Sequence, residues 1–289
     1  MSEAVESHGI FQFVRTEEEI VSELSGEIPP EEEKYYPKQD THGWFHQVET
    51  PFEQLMEEKH GPLQVKSAVD LFYLQGKYEE ALELALKYVN YVIDNKGITK
   101  LRNTKEMDET IVRCALRLEK LEIAEKHADK LATNEPGHMY LRGQVYTRVE
   151  RYKDALNIFT RYLKIRKADY NIWKWIGIAL GRWADTLTQP MEGKKLALAC
   201  LLKSKATMTL SMWREHHFTQ KRFKKELDEI SSLIQSLECE GIQCDLKTID
   251  LESLKCLESE IGVETLEFLS RNIKVVDKIV TEEKSVRDL

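Results

Sequence analysis

The sequence predicts an all-α fold of tandem antiparallel helix pairs, because three features of the chain agree. Apolar residues recur at every third or fourth position from about residue 63 onward, which is the spacing of one helix face. Short breaks interrupt this pattern near Gly76, Glu119 and Glu150, as tight turns between two helices would. Charged residues make up 32% of the chain and prolines number only 7, a composition that favours helices with solvated outer faces.

The pattern of helix, break and second helix occurs four times along the chain. The predicted units are VKSAVDLFYLQGKYEEALELALKYVNYVI, MDETIVRCALRLEKLEIAEKHADKLATNEP, GHMYLRGQVYTRVERYKDALNIFTRYLKI, and NIWKWIGIALGRWADTL with KKLALACLLKSKATM. Helix pairs that repeat in tandem are typical of an α-solenoid, in which each pair packs on its neighbours. We therefore assign residues 62–210 to four degenerate repeats.

Residues at matching positions of these units resemble the tetratricopeptide-repeat (TPR) family. In the first unit, Gly76, Tyr78 and Ala81 match the family's Gly-x-Tyr-x-x-Ala motif at the start of the second helix, after the aromatic Phe72. The matches in the second unit are Ala115, Leu121, Ala124 and Pro136. Those in the third unit are Gly143, Tyr146, Tyr152, Ala155, Phe159 and Tyr162, and those in the fourth are Trp173, Ile176 and Gly177. The resemblance implies a TPR-like α-solenoid, in which small residues let helices approach and aromatic residues fill the space between pairs.

The repeats depart from the family in their spacing. The alanines at positions 81, 124, 155 and 197 are 43, 31 and 42 residues apart, whereas the family's period is about 34. We interpret the linker Asn95 to Lys105 and the fourth turn, Asp185 to Glu192, as insertions. The segments GWFHQVE, VRCALRLEKLEIAEKHADKLATN and NIWKWIGIAL are also similar to a human chromosome-8 open-reading-frame family of TPR-like proteins, a resemblance that implies the fold but no activity.

The segments on either side of the repeats differ in character. Residues 1–40 are acidic and contain three of the prolines, so we expect a largely disordered tail. Residues 41–61 should form a flank that packs on the repeats through Trp44 and Phe45. Residues 211–284 should form amphipathic helices that cap the array, because a solenoid must cover its last apolar face. The apolar face of the first of these helices is predicted to contain Phe223, Leu227, Ile230, Ile234 and Leu237.

Composition disfavours several classes of function. The net charge of -8 argues against nucleic acid as the main partner, because neutralising phosphates needs a surplus of Lys and Arg. No apolar run approaches the roughly 18 residues of a membrane helix, and the N-terminal MSEAVESHGIF does not read as a secretory signal. The 5 cysteines include no CxxC pair and are expected to be reduced thiols. We therefore expect an intracellular protein, in the cytoplasm, the nucleus or both, that does not bind membranes.

The sequence contains no specific enzyme signature, so we expect no catalytic residue, cofactor or metal. The motifs GxxxxGK[ST], GxGxxG, GxSxG and HExxH are all missing. Neither His42 with His46 nor the run from Glu215 to His217 has the ligand set of a metal site. Two alternatives stay open. One is an enzyme with a non-motif site between the repeats and the C-terminal helices. The other is RNA or nucleic-acid association through the basic run at residues 221–225.

The TPR resemblance also implies where a partner would bind. In that family the first helix of each pair lines a concave groove that holds a peptide or helix of a partner protein. The corresponding residues are Lys66, Asp70, Tyr73, Glu109, Arg113, Tyr140, Gln144, Thr147, Asn171 and Lys174. This groove predicts an adaptor or an obligate subunit of a complex, unless its residues are merely solvated or are covered in cis by residues 1–50.

One subclass of the family uses basic and amide side chains of the groove to bind the C-terminal carboxylates of chaperones. Lys66 fits the first position of that clamp, but Asp70 stands where an amide is expected and would repel a carboxylate. Gly137 and Leu141 stand where the third unit should offer basic residues. We therefore predict no chaperone carboxylate clamp.

Overall fold

The computed structural model describes residues 51–95, 104–210, 217–244 and 251–274, together with the backbone of residues 7–8 and 11–12. The chain divides into two compact units, Met1–Gln47 and Val48–Leu289. In the first unit, β1 (Ser7–His8) pairs antiparallel with β2 (Phe11–Gln12). The predictions made for the tail and for Trp44 and Phe45 otherwise lie outside the described residues.

The described part of the second unit is all-helical, and its helices pack in consecutive pairs. Helix α1 (Phe52–Glu57) precedes four pairs: α2 (Gly61–Leu74) with α3 (Tyr78–Asp94), α4 (Lys105–Arg117) with α5 (Leu121–Lys130), α6 (Pro136–Arg148) with α7 (Tyr152–Ile165), and α8 (Tyr170–Ala184) with α9 (Pro190–Thr209). The first helices of successive pairs also contact one another, α2 with α4, α4 with α6 and α6 with α8. The predicted all-α fold is thus confirmed, and α2, α4, α6 and α8 lie side by side.

The turns inside the first three pairs share one backbone geometry. Each contains a residue with a positive φ angle: Gly76 at 76°, Glu119 at 57° and Glu150 at 62°. The next residue donates its N–H to the carbonyl five residues earlier, at 2.9 Å in every case. These donors and acceptors are Lys77 and Phe72, Lys120 and Ala115, and Arg151 and Tyr146. Such bonds occupy carbonyls that the end of a helix would otherwise leave without a partner. The three turns lie where the sequence predicts them.

The fourth turn is shorter than the sequence predicts. The expected break extended from Asp185 to Glu192, but α9 already begins at Pro190. Proline suits the first position of a helix, because its fixed φ angle is helical and its missing N–H is not needed there. Glu260 stabilises the loop between α8 and α9. Its carboxylate accepts hydrogen bonds from the backbone N–H and the hydroxyl of Thr188 at 3.2 and 3.0 Å.

The core consists of two clusters that meet at α4. One contains α1, α2, α3 and part of α4 around the buried Tyr88, and the other extends from Val112 to the C-terminal helices. Close helix approach depends on glycine at two positions of the second cluster. A Cβ atom on Gly143 would lie 2.2 Å from the Phe159 ring, and one on Gly177 would lie 2.7 Å from the Leu201 side chain. These are two of the small residues on which the TPR resemblance rests.

The C-terminal helices complete the second cluster. Helix α10 (His217–Cys239) packs on α9, and its predicted apolar face is confirmed: Ile230, Ile234 and Leu237 are buried, while Phe223 and Leu227 are partly buried against the core. The last segments are α11 (Leu251–Leu254), a 3-10 turn (Lys255–Leu257), α12 (Glu258–Ile261) and α13 (Val263–Ile273). Gly262, which has a positive φ angle, separates α12 from α13. Helix α13 packs back on α7 and α9.

The contact between Gly143 and Phe159 gives a matched test of this packing. We expect Gly143→Ala to lower the free energy of unfolding by about 1–3 kcal/mol, because the ring must move out of its place in the core. Gly137→Ala is the control on the same helix, since a Cβ atom there meets nothing within 4 Å. The control should be neutral or stabilising by up to about 1 kcal/mol. Urea unfolding followed by circular dichroism measures both, and equal effects of the two substitutions would contradict the assigned contact.

Candidate functional site

The predicted groove residues all lie on the first helices of the pairs, but two of them are not available to a partner. Thr147 is fully buried, and its hydroxyl donates a hydrogen bond to the carbonyl of Gly143 at 2.8 Å. Lys174 is only 6% exposed. The other predicted residues are at least partly exposed on α2, α4, α6 and α8: Lys66, Asp70, Tyr73, Glu109, Arg113, Tyr140, Gln144 and Asn171.

Five of these residues come together in one open pocket between α2 and α4. Lys66, Asp70 and Tyr73 line it from α2, and Glu109 and Arg113 line it from α4. Its volume is about 440 Å³, and the remaining lining residues are Leu63, Ser67, Glu106, Met107 and Thr110. We call this the α2–α4 pocket. Two successive helix pairs contribute to it, so its shape depends on how the pairs pack.

The ammonium group of Lys66 is held in a fixed place within this pocket. Its Nζ donates to Glu106 Oε2 at 2.9 Å and lies 5.8 Å from the centre of the Tyr88 ring. Burial alone would lower the pKa of Lys66, but the hydrogen bond and charge of Glu106 outweigh it, and the pKa is raised above its usual value. Lys66 therefore stays charged at physiological pH and presents a fixed cation to a ligand.

Glu109 links the pocket to the third helix pair. It accepts from the guanidinium of Arg113 at 3.0 and 2.5 Å, and its other oxygen lies 3.3 Å from Nε2 of His138 at the start of α6. The opposite ring nitrogen of His138 lies 2.8 Å from the hydroxyl of Thr133. The acid therefore positions Arg113 and ties α4 to α6 along the same surface.

The surface further along α6 and α8 is built differently from the α2–α4 pocket. The indole N–H of Trp175 donates to the hydroxyl of Tyr140 at 3.3 Å, and burial raises the pKa of Tyr140. Lys174 points to α10 instead of to a groove, with its Nζ 2.9 Å from Glu226 and 3.4 Å from Glu229. Helix α10 thus occupies the place that the groove would have beside α8.

A histidine and an aspartate form a buried pair that sequence reasoning missed. Nδ1 of His127 on α5 lies 2.6 Å from Asp108 Oδ1 on α4, and the exposed fractions of the two residues are 4% and 2%. The hydroxyl of Thr104 donates to the other carboxylate oxygen at 2.8 Å, and Lys130 lies 3.6 Å away. Neither Asp108 nor His127 lines the α2–α4 pocket. The pair therefore joins two helices inside the core.

The cysteines and the basic run are also placed by the structure. None of the 5 cysteines forms a disulfide within the described residues; Cys114 and Cys200 lie in the core, and burial raises the pKa of Cys114 to about 11. Along α10 the exposed Lys221, Lys224 and Lys225 are followed by Glu226, Asp228 and Glu229, so the basic run does not continue toward the C-terminal end of this helix. Within the described ranges no group of three or more His, Cys, Asp or Glu residues could hold a metal ion.

A larger cleft lies between α8 and α10, in the region between the repeats and the C-terminal helices where the enzyme alternative placed its site, but the sequence prediction named none of its residues. Its volume is about 970 Å³, and Trp175, Ile178 and Arg182 line it from α8. The spacing of these three residues, i, i+3 and i+7, is that of one helix face and could have indicated a shared surface. The position of α10 opposite them could not be read from local pattern. We call this the α8–α10 cleft.

Comparisons with known proteins identify no relative of the chain. No family model matches it, and no curated protein or solved structure matches it either. The helices of the described residues also include none that is long and apolar enough to cross a membrane. What the chain does must therefore be argued from its own surfaces.

The pKa of Asp108 predicts how acid affects stability. Burial alone would raise this pKa, but the hydrogen bonds from His127 and Thr104 and the charge of Lys130 outweigh it and hold the pKa below its usual value of 3.8. A carboxyl whose native pKa is lowered stabilises the fold above its unfolded pKa and loses that contribution as pH falls below it.

We therefore expect Asp108→Asn to lower the free energy of unfolding by about 2 kcal/mol near neutral pH and to make it less sensitive to acid. Urea titrations at about pH 6 and pH 3 measure both effects. The control is Asp228→Asn, an exposed position on α10. Parallel pH profiles for the wild type and Asp108→Asn would contradict the assigned role of the pair.

Proposed function

We propose that this chain is a TPR-like α-solenoid protein that binds a peptide or helix of a partner protein on the surface formed by α2, α4 and α6. One observation carries the proposal: residues from two successive helix pairs converge on the α2–α4 pocket. A binding surface built in this way extends along the array, as an extended or helical partner segment requires. The protein would act as an adaptor or as a subunit of a complex, with α10 to α13 capping the array.

The chemistry of the α2–α4 pocket supports recognition of a polypeptide. Lys66 and Arg113 offer fixed donors, Asp70 and Glu106 offer carboxylate acceptors, and Tyr73 offers an aromatic surface. Lys66 and Arg113 are already oriented by their carboxylate partners, so less side-chain entropy is lost when a ligand binds. Backbone amides and mixed side chains of a partner segment match such a set of donors and acceptors better than a purely anionic ligand does.

The same geometry weighs against the enzyme alternative. A catalytic site needs an acid or histidine that reaches substrate. The α8–α10 cleft, between the repeats and the C-terminal helices, is lined by no histidine, and three of its four acids lie beside Lys174 or Lys194. The Asp108–His127 pair is sealed between two helices. We therefore propose that the chain has no catalytic site or cofactor of its own. We also propose an intracellular location, in the cytoplasm, the nucleus or both, because an exposed reduced thiol such as that of Cys239 suits a reducing compartment.

Charge reversal within the α2–α4 pocket tests this function. The double variant Lys66→Glu/Arg113→Glu and the wild type are purified by affinity tag from cells, and stoichiometric partners are quantified by mass spectrometry. We expect the variant to lose a partner by at least about tenfold, because both fixed donors become repulsive. The partner is then purified and titrated against both proteins to show that the contact is direct.

The matched control is Lys126→Glu/Lys153→Glu, which makes the same change of net charge at exposed positions of α5 and α7. This control should retain the partner. A partner set that is unchanged in the pocket variant, or recovery of the chain alone at physiological salt, would contradict the proposed function.

A further inference from the structure

Two basic runs that are far apart in the sequence lie at the same end of the fourth helix pair. The first run surrounds the C-terminal end of α7, and the second lies in the N-terminal half of α10. All eight side chains of the two runs are exposed. The first run contains Arg161, Lys164, Arg166 and Lys167, and the second contains Lys221, Arg222, Lys224 and Lys225.

The end of α7 is held against the start of α8. The hydroxyl of Tyr162 on α7 donates to Asp169 Oδ2 at 2.7 Å. Asp169 is the N-cap of α8, and its other oxygen accepts the backbone N–H of Asn171 at 3.0 Å. The first basic run therefore lies beside the N-terminal end of α8.

The start of α10 lies at the same end of α8, because the two helices run parallel. Lys174, near the start of α8, pairs with Glu226 at 2.9 Å. At the other end, Asp185 just after α8 and Glu240 just after α10 each lie 2.8 Å from Nζ of Lys194. The second basic run ends directly before Glu226, so it lies beside the first turn of α8.

The side chain of Tyr170, the first residue of α8, is consistent with this placement. Burial raises the pKa of Tyr170 to about 12, the charge of Glu226 adds to this effect, and the charge of Arg222 opposes it. Because helices that pack together lie about 8–10 Å apart, the two runs on either side of α8 are separated by a distance on the order of 20 Å. We call the eight cations of the two runs the basic edge.

The acids around the basic edge are fewer than its cations, and most of them are already engaged. Two pair with Lys174, at 2.9 and 3.4 Å, and the N-cap of α8 accepts the two hydrogen bonds given above. The seven cations of the edge other than Arg222 form no ion pair with any residue in the described ranges. The nearby acids are Glu135, Asp169, Glu226, Asp228 and Glu229.

Helix stability does not explain the basic run on α10. Cations stabilise the C-terminal end of a helix, as those of α7 do, but they gain nothing from the dipole near an N-terminal end. The first turn of α10 also contains no acid. Lys221 and Lys225 are four residues apart, a spacing at which like charges on a helix repel. An anionic ligand would relieve this repulsion.

We propose that the basic edge binds an acidic segment of a partner protein, whose Asp and Glu side chains pair with cations of both runs. Ile165 is 55% exposed among the cations of α7, so an apolar residue of the segment can pack there. Charge complementarity of this kind selects the partner and speeds its association. The basic edge is a second surface of the protein, separate from the α2–α4 pocket.

An acidic protein segment fits the basic edge better than a nucleic acid does. The phosphates of a nucleic acid extend beyond an edge of this size and would meet the rest of a chain whose net charge is -8. Single strands also bind by stacking their bases on aromatic side chains. Phe223, the aromatic residue within the second run, is instead partly buried against the core. A short acidic segment avoids both difficulties.

A random-peptide display library tests the inference with a defined probe. Peptides are selected on the full-length chain, and we expect enrichment of sequences rich in Asp and Glu. A labelled representative is titrated by fluorescence anisotropy against the wild type and two edge variants, Lys164→Glu/Lys167→Glu and Lys221→Glu/Lys225→Glu. The controls are Lys126→Glu/Lys153→Glu, which makes the same change of net charge elsewhere, and the pocket variant Lys66→Glu/Arg113→Glu. An oligouridine of the same length is titrated against the wild type.

The proposal predicts that each edge variant weakens binding of the peptide by at least about tenfold. Both controls should bind it like the wild type, and the oligouridine should bind more weakly than the peptide. Thermal unfolding checks that the edge variants, whose substituted residues are all exposed, keep the fold.

Several results would overturn the inference. One is a selection that enriches no acidic sequences, and another is an equal loss of affinity in Lys126→Glu/Lys153→Glu. If one edge variant binds like the wild type, the two runs do not form one surface. Tighter binding of the oligouridine would assign the edge to nucleic acid. Loss of affinity in the pocket variant alone would overturn the inference and leave the proposed function standing.

Discussion

The left-handed turn within each of the first three helix pairs is the constraint on which the rest of this structure depends. One residue with a positive φ angle ends the first helix, and the backbone N–H that follows it closes the turn. The second helix then begins with nearly the same backbone each time: Lys77, Lys120 and Arg151 have φ angles of -81°, -82° and -81° and ψ angles of 68°, 70° and 58°. Because the turn is so nearly constant, each second helix leaves in the same direction relative to the first.

The constant geometry of these turns determines which faces of the first helices remain exposed to solvent. With each second helix packed on one side, α2, α4 and α6 keep the same face toward solvent, and the α2–α4 pocket forms between two of these faces. The series changes at α8, where α10 packs nearby and pairs with Lys174. The array therefore presents a charged pocket between α2 and α4 and a cleft of mixed lining between α8 and α10. The charged pocket is the surface on which the proposed adaptor function rests.

Local features of the sequence were enough to predict the helices and the first three turns, and the TPR resemblance supplied five of the ten residues that line the α2–α4 pocket. Helix periodicity is a property of neighbouring residues, and the turn after α4 was located even though Glu119 replaces the glycine expected there. Contacts between distant residues were not predictable in this way. Lys174 seemed to face a groove, but its partner Glu226 is 52 residues away in the chain. The Asp108–His127 pair depends in the same way on how α4 meets α5, since nothing in either helix alone indicates it.

The same limit applies to the fourth helix pair and the α8–α10 cleft. Pro190 was read as part of a break, whereas it is the first residue of α9. The cleft exists only because α10 packs opposite Trp175 and Ile178, and periodicity gives no information on which helix lies opposite another. The sequence pattern therefore indicated which residues share a helix face, but not which other helix packs against that face.

The free energies of unfolding of variants with glycine or alanine substitutions at the turns test most directly whether the first three helix pairs share one left-handed turn geometry. A residue with a Cβ atom is destabilised by about 1 kcal/mol in the left-handed conformation, whereas glycine is not. We therefore expect Glu119→Gly and Glu150→Gly each to raise the free energy of unfolding by up to about 1 kcal/mol, and Gly76→Ala to lower it by about as much. Glu122→Gly, in the first turn of α5, is the control and should be destabilising by about 1 kcal/mol. If the two turn substitutions destabilise the protein as the control does, the pairs do not share this turn, and the common surface derived from it is wrong.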